Sequence, residues 1–194
     1  PLEGPPHTSA AMKSLPLILF ALISLAQWAA PLSQIFRYEQ TLSKGTLIRL
    51  KCTAPDPYDP LRGRYLAVRP EQDDAAIAKD TKLRTGQQAY ATLKTGTDGL
   101  TILDELHAEP PASGDYVRVT VRWEAEGQAH IEWPFDRFYL NEALAPEADK
   151  WFAESIRNSK GVVAEVRVHH GLAVLENLTF DGTSFRELLK QRVK

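Results

Sequence analysis

The side chains that could do chemistry are few and poorly clustered. His169 and His170 are the only adjacent metal-ligating pair. They fall at a strand end, where neighbouring side chains point to opposite faces, so the spacing predicts a solvated turn and no zinc site. His107 and His130 stand alone. Cys52 is the single cysteine, which excludes an intramolecular disulfide, and its place in an alternating strand predicts a buried, unreactive thiol. No G-x-S-x-G and no Ser and Lys pair marks a nucleophile. The acid pairs Asp73–Asp74 and Asp104–Glu105 read as solvated faces, and no glycine loop is built to cradle phosphate. The residues therefore name no catalytic set, no metal and no cofactor. What remains is a scatter of arginine and aromatic side chains: Arg62, Arg64, Tyr65, Arg118, Arg122, Trp123, Trp133, Arg137, Phe138 and Tyr139. Such residues suit recognition surfaces. On strands they also suit a core edge, with aromatics inside and arginine stems snorkelling outward.

These side chains must be positioned by a chain of 194 residues, 43% hydrophobic, which is enough for one domain. A net charge of −2 without any basic stripe argues against a nucleic-acid partner. Leu15 to Phe36 carries no charge and is long enough to cross a bilayer as a helix. A cleaved signal peptide and a buried helix are the competing readings. Cleavage after Ala29 or Ala30 would place Gln27 or Trp28 where a small residue is required, so an uncleaved anchor is favoured. Trp28, Phe36 and Tyr38 suit its interfacial end, while Lys13 on one side and Arg37 and Lys44 on the other leave orientation undecided. Met12 followed by Lys13 reads as a start, giving residues 1–11 as a non-native or disordered tail, 12–36 as the anchor and 37–194 as an extracytoplasmic domain.

Within that domain, Thr46 to Cys52 alternates as a strand, and Ala54 to Leu61, with Pro55, Pro57 and Pro60, is a turn-rich loop. A second strand fits Gly63 to Arg69, and a short helix Glu71 to Lys79. Gln88 to Lys94 and Leu100 to His107 read as a hairpin around Gly96 and Gly99. Asp115 to Glu124 is the clearest strand, with Tyr116, Val117, Val119, Val121 and Trp123 set against Arg118, Thr120 and Arg122. Gln128 to Trp133 and Arg137 to Leu140 continue the β pattern after a turn at Gly127. Pro146, Glu147 and Asp149 open a helix that ends near Gly161. Val162 to Val168 and Leu172 to Phe180 form a hairpin turning at Gly171, and Ser184 with Glu187 caps a last amphipathic helix. The fold expected is mainly β within the α+β class: a small antiparallel sandwich or open barrel with two short helices, preceded by one N-terminal transmembrane helix.

The stretch Asp59-Pro60-Leu61-Arg62-Gly63-Arg64-Tyr65-Leu66-Ala67-Val68 resembles the bacterial GDYXXLXY family, which places a proline-rich D-P-x-x-P-L-R-G-x-Y segment after an N-terminal anchor. Arg137-Phe138-Tyr139-Leu140-Asn141-Glu142 is similar to another segment of that family, and Ala164 to Gly182 to its closing hairpin, which ends in Asp181-Gly182. Arg64 stands where the family has Asp, Val68 where it has Leu, and Pro70 where it has the second Tyr. The resemblance implies no known reaction, since the family is functionally uncharacterised and often occurs beside multi-pass membrane proteins. It implies a site at Asp59, Pro60, Arg62, Gly63, Arg64, Tyr65, Arg137, Tyr139, Glu142, Asp181 and Gly182. The combined expectation is a non-enzymatic binding or accessory domain, tethered to the bacterial inner membrane and facing the periplasm, with an integral membrane protein as partner. The alternative is a cell-envelope hydrolase or ligand-processing enzyme built from Arg64, Tyr65, Arg137 and Glu142. A third reading makes Arg137 and Glu142 a buried ion pair of purely architectural role.

Overall fold

The computed structural model describes residues 10–53, 65–139, 161–180 and 182–192. The chain divides after Glu39. Helix α1 (Ala10–Lys44) contains the uncharged stretch and holds Pro16 and Pro31 in its interior. Leu17, Ile18, Leu19, Phe20, Leu22, Ile23, Leu25 and Trp28 are all exposed. From Pro16 to Lys44 the helix is long and apolar enough to cross a membrane, with a mean hydropathy of 1.6 in its most apolar window.

The second unit starts with the last turn of α1, where the Thr41 side chain is buried and its carbonyl accepts the Gly45 N–H at 2.9 Å. A Cβ at Gly45 would lie 2.4 Å from that carbonyl oxygen, so glycine is what lets the chain leave the helix for a strand here. The strands are β1 (Thr46–Thr53), β2 (Tyr65–Ala67), β3 (Arg69–Pro70), β4 (Asp74–Ile77), β5 (Gln88–Thr95), β6 (Thr101–His107), β7 (Tyr116–Ala125), β8 (Gln128–Glu132), β9 (Arg137–Tyr139), β10 (Val162–His169), β11 (Leu172–Phe180) and β12 (Thr183–Ser184). Helix α2 (Phe185–Arg192) follows. Of the two short helices expected, α2 is present, and the one opened by Pro146 lies outside the described residues.

Among the described residues three sheets result: a closed barrel β4-β6-β5-β7-β8, a five-stranded sheet β12-β11-β10-β1-β3, and the pair β2-β9. Alternation drives them. On β10, Val162, Ala164, Val166 and Val168 are buried while the residues between are half-buried, as a sheet with one dry face requires. Ile48, Leu50 and Cys52 of β1 meet them, and one core cluster joins this layer to Ala89, Ala91, Leu106, Val117, Val119, Val121 and Ile131 of the barrel. Glu126 and Gly127, both at positive φ, form the two-residue turn between β7 and β8.

Two expectations about elements are corrected. Residues Glu71 to Lys79 hold no helix, because Asp74–Ile77 is strand β4. Asp74 to Ala76 pairs antiparallel with β8, and Ala76 and Ile77 pair parallel with β6, which closes the barrel instead of leaving it open. Sheet partners on both sides override the weak local preference of a short Ala-rich segment. The strand expected from Gly63 to Arg69 is two strands. Val68 donates its N–H to the Asp136 carbonyl at 2.8 Å, and the chain then passes from β9, the partner of β2, to β1, the partner of β3.

Candidate functional site

A cleft of about 770 Å³ lies on the outer face of β7 and β8, walled by Ala67–Pro70 on one side and Trp133–Asp136 on another. Its geometry depends on one irregularity. Val121 pairs with Ile131 but Trp123 pairs with His130, so Arg122 is an extra residue in β7. A bulge of this kind bends the strand and resets which face later side chains take. Trp123 was expected on the dry face beside Val121. The bulge instead turns it outward, where it is 51% exposed and stacks on His130 with ring centroids 4.0 Å apart and planes 23° from parallel.

Ionic side chains surround this stack, each held by another. Arg69 donates to the Asp73 carboxylate through Nη2. The other carboxylate oxygen of Asp73 lies 3.5 Å from His130 Nδ1. Arg122 Nη2 lies 2.7 Å from Glu132 Oε1 on the facing strand, and Asp136 Oδ1 lies 3.4 Å from Arg137 Nε. Arg118, exposed on the same face, has no ion pair among the described residues. The walls are fixed by Gln72, whose side-chain oxygen accepts the Leu103 N–H at 2.8 Å while its amide donates to the carbonyls of Asp74 and Leu103. The Gln72 carbonyl in turn accepts Trp133 Nε1–H at 2.9 Å. No Ser, Cys or Lys is among the described residues that line the cleft. Cys52 does not line it, although it pairs with Pro70 of the wall, and burial pushes its thiol up to about 12.

Of the site residues expected from the sequence, Asp59, Pro60, Arg62, Gly63, Arg64, Glu142 and Asp181 lie outside the described residues. Tyr65, Arg137 and Tyr139 are brought together by the β2-β9 pair, in which Tyr65 faces Tyr139 in register and Ala67 faces Arg137. Arg137 is not among the described residues that line the cleft, and Arg64 and Glu142, the other charged members of the site an envelope hydrolase would use, lie outside the described residues. Arg137 is exposed, with its Nε 3.4 Å from Asp136 Oδ1, and Glu142, the partner expected for it, lies outside the described residues. Gly182, at φ 79°, serves the turn between β11 and β12. His169 and His170 do not point apart: His170 leaves the strand at φ 47°, and the two rings come within 4.2 Å. Sequence reasoning missed Arg69, Asp73, His130 and Glu132 as a group. No local signal marked them, since the sequence keeps its alternation through Trp123, while in the structure Arg122, Trp123 and Glu124 are all exposed.

Fold and cleft together define a class: a barrel-and-sheet domain that follows an apolar helix. Within it, the chain belongs to the GDYXXLXY family, whose model, described as GDYXXLXY protein, matches residues 27–178. No curated protein and no solved structure matches the chain. The described half of the family's name-giving segment has a clear place here. Leu66 and Val68 are buried in the core, and Ala67 through Pro70 make one wall of the cleft.

Proposed function

We propose that this protein is a membrane-tethered, non-enzymatic binding domain. Leu15–Phe36 anchors it in the bacterial cytoplasmic membrane, the β domain faces the periplasm, and an integral membrane protein is its partner. The observation that carries the reading is the cleft. Its charged groups are paired, Asp73 with Arg69 and Glu132 with Arg122, and His130 Nδ1 lies 3.5 Å from Asp73, so that donors and acceptors stand side by side along the cleft. A proton-transfer catalyst needs instead a group poised for exchange. The exposed apolar face of α1 supports the tether. The β2-β9 pair, which displays Tyr139 and Arg137, supports a protein contact beside the family segment.

A reporter active only outside the cytoplasm, fused after Lys194 to a chain beginning at Met12, tests the tether. Activity in the membrane fraction is expected. Activity in the soluble fraction, or a stable but silent fusion, would overturn it. A photocrosslinking residue at Tyr139, which is 64% exposed, should form an adduct with an integral membrane protein, and absence of any adduct would remove the partner from the proposal.

A further inference from the structure

We propose that the cleft on β7 and β8 is a saccharide-binding site with Trp123 as its stacking platform and the Arg122–Glu132 and Arg69–Asp73 pairs as its hydroxyl-binding groups. This rests on the binding-domain reading above and gives it a ligand class.

The imidazole of His130 covers one face of the Trp123 indole, and the exposure of this side chain therefore belongs to its other face and rim. A flat, electron-rich surface backed by a second ring suits the apolar C–H face of a pyranose, whose axial hydrogens carry slight positive charge. The perimeter of such a ring is a row of hydroxyls, each both donor and acceptor. A guanidinium already bonded to a carboxylate still offers N–H groups, and the carboxylate still offers lone pairs, side by side in one plane. Arg122 with Glu132 and Arg69 with Asp73 supply two such pairs around Trp123, and Thr120, which faces Glu132 across the strands, adds a hydroxyl. Because these groups hold one another before the ligand arrives, little side-chain freedom is lost on binding. The volume of about 770 Å³ falls in the range of small-molecule sites.

Other occupants fit less well. An anion would meet Asp73, Glu132 and Asp136 alongside Arg69, Arg118 and Arg122, and the carboxylates would oppose it. A peptide adding as a strand needs a free edge, yet β7 is paired with β5 and β8, and β8 with β7 and β4. An apolar ligand would strand the charged lining without water.

The test uses the full chain in a polyoxyethylene detergent, since glucoside and maltoside detergents would compete. Saturation-transfer NMR is recorded with triacetylchitotriose, cellotriose and maltotriose, and with glycerol 3-phosphate as an anionic probe. Transfer to at least one trisaccharide is expected. Affinity should fall by about tenfold or more in Trp123→Ala and recover in Trp123→Phe. Glu132→Gln, a change that leaves the strand intact, should weaken binding independently of the platform. Transfer to none of the trisaccharides, transfer unchanged in Trp123→Ala, or transfer to glycerol 3-phosphate alone would each overturn the saccharide assignment. The tether stands or falls separately, on the reporter fusion.

Discussion

Cys52 should be almost inert toward thiol reagents in the folded protein and should report on stability at high pH. Its side chain lies in the core, with Sγ 3.6 Å from the Leu50 carbonyl oxygen and Val162 opposite it in register on β10. Burial there raises the thiol from its ordinary 9.0 up to about 12, against a smaller opposing contribution from a backbone hydrogen bond with Ala164. The thiolate is the reactive species, so a rise of this size alone suppresses reaction about a thousandfold near neutral pH, before any steric shielding. The assay is labelling with a chromogenic aromatic disulfide at pH 8, in buffer and in urea. With one cysteine in the chain the signal is unambiguous. Labelling in buffer should be slow and should accelerate by orders of magnitude across the unfolding transition. A native rate within about tenfold of the unfolded rate would refute the burial of Cys52 and with it the β1-β10 register. The pH dependence follows from the same shift. A group whose folded pKa is raised contributes stability that is intact below the unfolded value and is lost as pH climbs toward the folded one. Stability should thus fall between about pH 9 and pH 12, by up to about 4 kcal/mol relative to Cys52→Ala. The comparison with Cys52→Ala is needed because Lys51, whose pKa is raised by its hydrogen bond and ion pair with Glu71, titrates in the same direction.

Three further outcomes are expected. Leu178→Ala removes a fully buried side chain between the layers and should cost about 2 to 5 kcal/mol in urea unfolding. Gly171→Ala would place a Cβ 2.8 Å from the Tyr116 ring at φ 79°, and calorimetry should show a loss of about 1 to 3 kcal/mol with the barrel-to-sheet contact weakened. Gln72→Ala breaks three hydrogen bonds behind the cleft wall and should lower stability by about 1 to 3 kcal/mol, with faster amide exchange at Leu103, while Gln72→Glu should fail to restore it because the donor is gone.

The elements most readable from sequence were β1 and β10, whose burial alternates without interruption. Strands β5 and β11 were readable from their flanking turns although each breaks its alternation, and the apolar helix from its uncharged length. Strand β4 was not readable, because Asp74–Ile77 is too short for a period, and only its partners Glu105–Leu106 and Gln128–His130 make it a strand. The cleft was hidden for a related reason. Asp73 looked like half of a solvated acid pair and His130 like a lone histidine; what joins them is barrel closure, which brings β4 beside β8. Trp123 was misplaced because strict alternation cannot foresee an inserted residue, even though the bulge at Arg122 is what makes the cleft. The described end of the family segment, Ala67 to Pro70, forms one wall of the cleft. The segment's specific side chains from Asp59 to Arg64 lie outside the described residues.

The pairing of β1 sets an order on how the protein matures. This strand leaves the apolar helix directly, yet its long partner is β10, and before then the described residues offer it the two-residue pairing with β3 and hydrogen bonds to Thr101 and Asp115. As the chain is made from its N-terminus, Ile48, Leu50 and Cys52 must wait, uncovered, while the barrel strands assemble. Arrival of the β10-β11 hairpin then seals the oldest strand with the youngest. The lone thiol should therefore report completion of the domain, staying open to a maleimide until β10 covers it.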